Sequence, residues 1–289
     1  MNRRRALRGW VERRDGLVVP GAYDGVSAKL VARAGFPAVY MTGYGTSASR
    51  LGLPDLGFAG LTEMVENVRQ MVASVPIPLI ADADTGYGNP LHVRRTVQAY
   101  EAAGVAALHI EDQVWPKRCG HLAGKRVIPT DEMAQKIRAA VEARQDPDLL
   151  IIARTDALAL SGFDDALRRA EAYAKAGADV LFVEAPTTVA EIEAIPKALN
   201  RPCLFNYAPG GRSPLLPLSR LRALGYAIII FPAQTLFVAT RAMADYLRAL
   251  KTSDDPSTLD DRLIPFSEFN GLIGVTELLA LADRYEPNP

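Results

Sequence analysis

The chain alternates short, almost continuously apolar runs with longer amphipathic segments, and it does so eight times. Runs that are apolar at nearly every position predict parallel strands buried on both faces, because a half-exposed strand would alternate with polar residues. We place these strands at 17–20, 38–42, 78–82, 106–110, 149–153, 180–184, 203–207 and 227–231. Eight strand-and-helix units in about 250 residues predict an α/β fold, a closed (β/α)₈ TIM-type barrel. A doubly wound open sheet, which usually has fewer strands, is the alternative.

The amphipathic segments between the strands predict helices, several of which end at a glycine such as Gly35, Gly104 or Gly225. These helices are placed at 26–34, 61–74, 90–103, 130–144, 163–176, 189–199 and 217–224. We assign residues 1–250 to the barrel. A polar stretch at 251–261 and an amphipathic helix over 263–285 predict that residues 251–289 are a linker and a C-terminal helical tail of the same domain.

Charge and cysteine content exclude several classes of protein. Lys plus Arg and Asp plus Glu number 33 each, so neither nucleic acid nor an anionic membrane is an expected partner. No apolar run approaches the roughly eighteen residues of a membrane span. The two cysteines, Cys119 and Cys203, offer no disulfide framework, and with three histidines they lack zinc-ligand spacing. A cytoplasmic protein is therefore predicted.

Charged and amide side chains stand at the carboxyl ends of consecutive predicted strands. They are Asp82, Asp84, Glu111, Arg154, Asp156, Glu184 and Asn206. In a barrel these ends meet at one mouth, where the carboxylates would repel one another unless a cation lay between them. An all-oxygen, carboxylate-rich site suits Mg²⁺ or Mn²⁺. Helix capping by Asp and Thr is the structural alternative.

The segment from Glu111 to His121 combines a carboxylate, two cations, a thiol and an imidazole, and its breakers Pro116 and Gly120 predict a loop. Cys119 is flanked by Lys117, Arg118 and His121, so we expect a lowered pKa and a reactive thiol. A basic surface loop with an incidental cysteine is the alternative.

A glycine-rich segment, Gly43-Tyr-Gly-Thr-Ser-Ala48, follows the second predicted strand and matches a dinucleotide-binding pattern. It does not follow the first strand, however, and residues 51–57 interrupt the helix that a nucleotide site would need. A backbone cradle for a carboxylate or phosphate is the preferred interpretation.

Four motifs together resemble the isocitrate lyase/phosphoenolpyruvate mutase superfamily, from about residue 16 to the tail. They are Asp82-x-Asp84-x-Gly-Tyr-Gly, His109-x-Glu111-Asp112-Gln113, Lys117-Arg-Cys-Gly-His121 and Ala153-Arg154-Thr-Asp156-Ala. The thiol-containing motif is similar to that of the small, lyase-like branch, which includes carbon–carbon lyases, oxaloacetate hydrolases and phosphonomutases. The resemblance implies a homotetramer in which a C-terminal helix, here 263–285, is swapped between subunits.

The resemblance also implies roles for individual residues. Asp82 would hold Mg²⁺ (Mn²⁺ is possible), and Asp55, Asp84 and Glu111 would hold its water ligands. Residues implied to bind a small carboxylate substrate are Tyr40, Thr42, Gly43, Tyr44, Arg154, Glu184 and Asn206. A mobile gate would carry Cys119, helped by Lys117, Arg118, Gly120 and His121.

The implied reaction is Mg²⁺-dependent retro-aldol cleavage of a substituted malate, with Tyr40 as the base and Cys119 as the general acid. An oxaloacetate hydrolase and a phosphonomutase remain alternatives, and a barrel that binds a carboxylate without turnover is disfavoured by the complete residue set. Two positions depart from the family pattern. Pro209 stands where relatives commonly have glutamate, and Phe237 stands where methylisocitrate lyases have arginine. A dicarboxylate substrate is therefore expected rather than a tricarboxylate.

Overall fold

The computed structural model describes residues 2–285 and contains eight parallel strands that close into a barrel in sequence order, with β8 pairing back to β1. The strands are β1 (Leu17–Ala22), β2 (Val39–Met41), β3 (Leu79–Asp82), β4 (Ala107–Glu111), β5 (Leu150–Thr155), β6 (Val180–Val183), β7 (Cys203–Asn206) and β8 (Tyr226–Phe231). The predicted barrel is confirmed, and closure of the sheet excludes the open alternative.

Helices alternate with these strands, and all seven predicted helices are present within about two residues of their predicted ends. They are α2 (Gly25–Arg33), α4 (Leu61–Ser74), α5 (Pro90–Ala103), α6 (Thr130–Ala143), α8 (Phe163–Lys175), α9 (Val189–Ala198) and α10 (Leu218–Ala223). Two short helices that the pattern does not predict, α3 (Gly43–Thr46) and α7 (Leu158–Ser161), follow β2 and β5. A π-helical turn, Ser47–Leu51, continues α3.

An N-terminal helix, α1 (Arg3–Arg13), precedes the first strand and is likewise not predicted. Its Leu7 and Val11 are buried in the same apolar cluster as the barrel-interior residues Val19 and Ile228. Burying such side chains contributes roughly 1.5–3 kcal/mol each to the stability of the fold. Two arginines of this helix, Arg4 and Arg8, form ion pairs with acidic residues of the barrel; Arg4 Nη1 lies 3.0 Å from Asp146 Oδ2, and Arg8 Nη2 lies 3.1 Å from Asp179 Oδ1. The cationic N-terminus is therefore structural.

Apolar side chains fill the barrel, and charged side chains take over toward the carboxyl ends of the strands. Ile80, Ile152, Phe182 and Leu204 belong to the interior cluster. Two residues after Ile152 in β5, Arg154 is also buried, although its side chain is charged. This change from apolar to charged residues sets the floor of the functional site.

The described chain divides into two compact units, residues 2–234 and 235–285. The second contains most of α11 (Gln234–Thr252), a 3₁₀ turn (Pro256–Arg262), α12 (Phe266–Ile273) and α13 (Val275–Asp283). The single helix expected over 263–285 is interrupted at Gly274, whose φ of 85° ends α12 in the left-handed region. The assignment of 1–250 and 251–289 stays a prediction, and its residues 286–289 lie outside the described part. Within 2–285, no helix combines the length and apolar character of a membrane span.

Candidate active site

Three of the four predicted metal-site carboxylates lie at the carboxyl ends of β3 and β4, and all four are buried. Asp82 ends β3 and Glu111 ends β4, while Asp55 lies in the loop before α4. The Asp82 carboxylate accepts hydrogen bonds from the backbone N–H groups of Gly43, at 3.2 Å, and Asp84, at 2.9 Å. Burial acts to raise the pKa of Asp82, but His109, Lys117 and Arg154 together lower it below the usual value.

Lys117 bridges two of these carboxylates. Its Nζ lies 2.6 Å from Asp55 Oδ1 and 2.6 Å from Asp84 Oδ1, and the lysine is buried. Burial alone would lower the pKa of Lys117, but Asp84 and Asp55 outweigh it and hold the pKa well above its usual value. Lys117, predicted to assist the gate, thus connects the gate to the predicted metal site.

Glu111 has little compensation for its charge. Neither of its carboxylate oxygens accepts a hydrogen bond within the described residues, and Arg154 Nη1 lies 3.4 Å from Oε2. Burial raises the pKa of Glu111 well above its usual value, and it raises that of Asp84 to about 7. For these two carboxyl groups the effect of burial is therefore not fully offset by Arg154 and Lys117, and a further cation at this place would favour their ionised forms.

The chemistry of this cluster fits Mg²⁺, because every donor is a carboxylate oxygen and Glu111 has unused acceptors. Among residues 2–285, no three His, Cys, Asp or Glu side chains form a complete ligand set. Mg²⁺ commonly uses one or two carboxylates together with water and substrate oxygens, so a sparse protein ligand set is compatible with this ion.

Arg154 is held by acidic side chains of neighbouring strands. Its Nε lies 3.0 Å from Asp156 Oδ2, its Nη2 lies 3.1 Å from Asp156 Oδ1, and the same Nη2 lies 3.4 Å from Glu184 Oε2. The guanidinium carbon also lies 5.1 Å from the centre of the Phe182 ring. Burial would raise the pKa of Glu184, but Arg154 and His121 lower it to about 2. The arginine is therefore oriented by fixed anions, as a carboxylate clamp requires.

His121 and Asn206 also meet at Glu184. His121 Nε2 lies 3.2 Å from Glu184 Oε1, and the Asn206 amide donates to the same oxygen at 3.2 Å. On the other side of the ring, the backbone N–H of Arg212 donates to His121 Nδ1 at 3.1 Å. The structure thus brings together Arg154, Glu184, Asn206 and His121, while Pro209, in the loop after β7, is exposed.

The predicted gate lies against the mouth of the barrel. The Cys119 N–H donates to the Asp55 carbonyl at 3.2 Å. At Gly120, an added Cβ would lie 2.6 Å from Glu184 Cγ and would also overlap the Arg154 guanidinium, so only glycine allows this approach. Arg118 is not brought into the site, because its side chain is exposed and its guanidinium donates to the Ala123 carbonyl at 3.0 Å.

The pKa of Cys119 is raised, and the expected lowering is wrong. Burial is the largest cause. Although Arg154, Lys117 and the His121 N–H act to lower the pKa of the thiol, Asp55 acts with burial to raise it. The neighbouring cations suggested by the sequence are either turned away, as Arg118 is, or already paired with carboxylates, as Lys117 is. At neutral pH the thiol therefore retains its proton.

Tyr40 forms a buried chain with His109 and Asp82. The Tyr40 hydroxyl lies 2.7 Å from His109 Nε2, the two rings stack with centres 5.8 Å apart, and His109 Nε2 lies 3.5 Å from Asp82 Oδ1. Burial, with Asp82 second, raises the pKa of Tyr40 well above its usual value, and burial also lowers that of His109. The predicted base is therefore a phenol, paired with a neutral imidazole that can accept its proton.

The glycine-rich segment after β2 forms the short helix α3, capped by Thr42, whose hydroxyl accepts from Gly45 N–H at 3.1 Å. The Gly43 N–H, expected to receive substrate, donates to Asp82 instead. Burial raises the pKa of Tyr44, and the Cys119 sulfur and Asp55 add to this rise. Through the hydrogen bond from Gly43 the segment orients Asp82. It also borders the region where we expect substrate to bind.

Three residues of this site are not in the predicted set. His109, part of a recognised motif, lies between Tyr40 and Asp82. Asp156, part of a recognised motif, clamps Arg154. Lys125 is buried and lies 2.8 Å from Asp156 Oδ1 through its Nζ, but in the sequence it is an ordinary cation in a polar loop. In the sequence, only its position four residues after His121 links Lys125 to the site.

Comparison with known proteins agrees with this geometry. The model of the family described as phosphoenolpyruvate phosphomutase matches residues 7–251. The chain is 46% identical over 285 residues to 2,3-dimethylmalate lyase of Eubacterium barkeri, with 99% of both chains covered.

Solved structures show the same relationship. Oxaloacetate acetylhydrolase in complex with the inhibitor 3,3-difluorooxalacetate aligns with a TM-score of 0.93 at 39% identity, covering 98% of this chain and 96% of that one. Phosphonopyruvate hydrolase in complex with oxalate and Mg²⁺ aligns with a TM-score of 0.90 at 31% identity, covering 99% of both chains. The chain belongs to the isocitrate lyase/phosphoenolpyruvate mutase superfamily and is a lyase of that superfamily.

Proposed function

We propose that this lyase is Mg²⁺-dependent and cleaves a substituted malate-type 2-hydroxy dicarboxylate by a retro-aldol reaction, giving an α-keto acid and a carboxylate. The observation that carries the proposal is the position of Cys119 on a loop docked against the Arg154 clamp, where burial raises the pKa of the thiol. A proton donor beside a carboxylate-binding arginine is what the second half of such a cleavage requires. The likeness to 2,3-dimethylmalate lyase supports the substrate class.

Asp82, Asp84, Asp55 and Glu111 would hold the metal ion, directly or through water, and Mn²⁺ could replace Mg²⁺. When bound, the ion would supply positive charge that favours ionisation of the substrate's 2-hydroxy group and stabilises the α-keto acid product. The structure of phosphonopyruvate hydrolase in complex with oxalate and Mg²⁺ supports this assignment.

Arg154 would bind the carboxylate of the 2-hydroxy acid half, with Thr42, Gly43 and Tyr44 bordering the same end. Asp156 and Glu184 fix the guanidinium before substrate arrives, so little ordering is needed on binding. Asn206 and His121, joined through Glu184, would face the other half of the substrate.

Tyr40 would remove the hydroxyl proton only in concert with His109. As the Tyr40 oxygen takes the substrate proton, its own proton passes 2.7 Å to His109 Nε2. Because the hydroxyl proton is gone, the carbon–carbon bond breaks as the C=O bond of the α-keto acid forms. The electron pair remains on the departing fragment as an enolate-like carbanion, and the Cys119 thiol protonates that carbon.

Replacement of Cys119 tests the proposal. We expect Cys119→Ser and Cys119→Ala to lower kcat by about 10²-fold or more, because a positioned general acid contributes about 10²–10⁴-fold. Mg²⁺ binding, measured by calorimetry, should be retained. Cys203→Ala is the matched control, since the Cys203 thiol is buried at the start of β7. Near-normal turnover of Cys119→Ala would exclude this role.

An oxaloacetate hydrolase is the second candidate, and the TM-score of 0.93 to oxaloacetate acetylhydrolase favours it. A panel of dimethylmalate, oxaloacetate, methylisocitrate and phosphonopyruvate with Mg²⁺ separates the classes. Pyruvate from dimethylmalate supports the lyase, and oxalate from oxaloacetate supports the hydrolase. Activity on phosphonopyruvate alone would instead favour phosphorus–carbon chemistry.

The free thiols of Cys119 and Cys203 suit the reducing cytoplasm in which we place the enzyme.

A further inference from the structure

The predicted gate belongs to a longer loop whose base is fixed. Residues Gln113 and Val127 form an antiparallel bridge, and Val114 N–H donates to the Arg126 carbonyl at 2.8 Å. Beyond the bridge, Ile128 N–H donates to the Asp112 carbonyl at 2.9 Å. The gate residues 117–121 lie in the outer part of this loop, whereas Lys125 lies two residues from the bridge. Lys125 therefore lies close to the fixed base of the loop.

The Lys125 ammonium contacts both the gate and the barrel. Its Nζ donates to the backbone carbonyl of Gly120, and it lies 2.8 Å from Asp156 Oδ1. Lys125 is 5% exposed and Asp156 is fully buried. Burying an ammonium group is costly unless its hydrogen bonds are satisfied. The Gly120 carbonyl supplies one of those bonds only when the gate is in its docked position.

Asp156 carries the connection onward to the substrate clamp. Its two oxygens accept from Arg154 at 3.0 and 3.1 Å, and Arg154 in turn contacts Glu184. Glu184 returns to the gate through His121 at 3.2 Å. Two consecutive gate residues are thus connected to Arg154. Gly120 is connected through Lys125 and Asp156, and His121 is connected through Glu184.

We propose that Lys125 is a positioning residue that latches the gate. Its ammonium, held in place by Asp156, receives the Gly120 carbonyl as the gate docks, and this contact keeps Cys119 over the clamped substrate. The inference rests on the proposed function only in treating residues 117–121 as a gate. A lysine suits the task because its three donors can serve a carboxylate and a carbonyl at once.

The test measures how fast Cys119 is alkylated by iodoacetamide, followed by mass spectrometry of its peptide, with and without Mg²⁺ and oxalate. In Lys125→Met we expect alkylation about tenfold or more faster than in the unchanged protein, because a charge-assisted hydrogen bond that holds the gate is lost. Protection by Mg²⁺ with oxalate should weaken by a similar factor. Cys203, which is buried, reports any general loosening.

The matched control is Lys136→Met. Lys136 is also a buried lysine whose ammonium donates to a loop carbonyl, that of Thr85 at 3.2 Å, but it is in α6. It should leave Cys119 alkylation unchanged. If Lys125→Met fails to fold, Lys125→Gln, which keeps a donor without the charge, should still accelerate alkylation several-fold. An alkylation rate equal to that of the unchanged protein in the folded variant overturns the proposal.

Kinetics separate the latch from the proposed reaction. Lys125→Met should lower kcat more than it raises KM, because Arg154 keeps Asp156 as its partner while Cys119 loses its position. Faster alkylation in a protein that turns over none of the panel would support the latch and reject the proposed function. Unchanged alkylation in an active lyase would do the reverse.

Discussion

At the scale of single residues, the site is governed by charge that the fold leaves only partly compensated. Asp84 lies beside Asp82 and Asp55, and its one close cation is Lys117 among the contacts of the described chain. Burial, together with these two carboxylates, raises the pKa of Asp84 to about 7, which affects how a metal ion could bind there.

Mg²⁺ affinity should therefore depend on pH. Burial, opposed by Lys117 and aided by Asp82 and Asp55, raises the pKa of Asp84 to about 7. Below this pH the ion must displace a proton, so affinity should fall as pH falls, by up to about tenfold per unit. Above it the carboxylate is already ionised and the dependence should flatten.

Calorimetric titration with Mg²⁺ at about pH 6 and about pH 8, in buffers of different ionisation enthalpy, measures both affinity and proton release. Asp84→Asn is the control. It should bind Mg²⁺ more weakly and without this pH dependence. Equal affinity of the unchanged protein across the range would contradict the assignment of Asp84.

Which residues form the site could largely be predicted, whereas their protonation and pairing could not. The carboxylates at strand ends are visible because parallel strands place their carboxyl ends together. The rise in the pKa of Cys119 depends on burial by a docked loop, and the bridge from Lys117 to Asp55 depends on a contact 62 residues apart in the chain. Neither leaves a periodic signal in the sequence.

At the scale of elements, the gate loop is defined by close packing at one glycine. A methyl group at Gly120 would meet both Arg154 and Glu184. We expect Gly120→Ala to displace the gate and lower kcat by about 10²-fold, as misplacement of about 1 Å at a catalytic group can do. The melting temperature should change little, because the loop lies outside the apolar core.

Gly124→Ala, in the same loop, separates this effect from backbone strain. Gly124 has a φ of 77°, and its added methyl would meet only the exposed Arg118 side chain. It should lower kcat much less than Gly120→Ala does. Steady-state kinetics and thermal melts of both variants make the comparison, and equal losses of kcat would indicate loop strain instead of gate contact.

The regular elements of the barrel were predictable because their burial is expressed in sequence periodicity. The helices α1 and α11 were not. In α1, five arginines among eleven residues obscure the buried pair Leu7 and Val11. In α11 no described side chain is buried, so its apolar residues do not mark one protected face. Such helices are recognised only when their partners are known.

At the scale of the whole molecule, the C-terminal unit has several large apolar side chains that are exposed in the single chain. No residue of α11, α12 or α13 is buried, and Phe266 is 82% exposed. Large exposed apolar patches commonly mark subunit interfaces. On this ground we propose that the protein assembles as the homotetramer implied by the family resemblance.

We expect light scattering after gel filtration to give a mass about four times the 31.3 kDa of one chain. Phe266→Asp should shift the protein to smaller species while the barrel stays folded by circular dichroism. Leu91→Asp, at a position 73% exposed in α5, is the control and should not. A monomeric unchanged protein would exclude the tetramer.

The ion pairs of Lys117 with Asp55 and Asp84 also affect the stability of the protein without a bound metal ion. Because Lys117 acts as an internal counterion for two of the buried carboxylates, part of their repulsion is relieved by the polypeptide itself. We therefore expect the chain to fold without a metal ion. If the enzyme depends on Mg²⁺ as proposed, removal of the ion should abolish activity and leave the amount of folded protein unchanged.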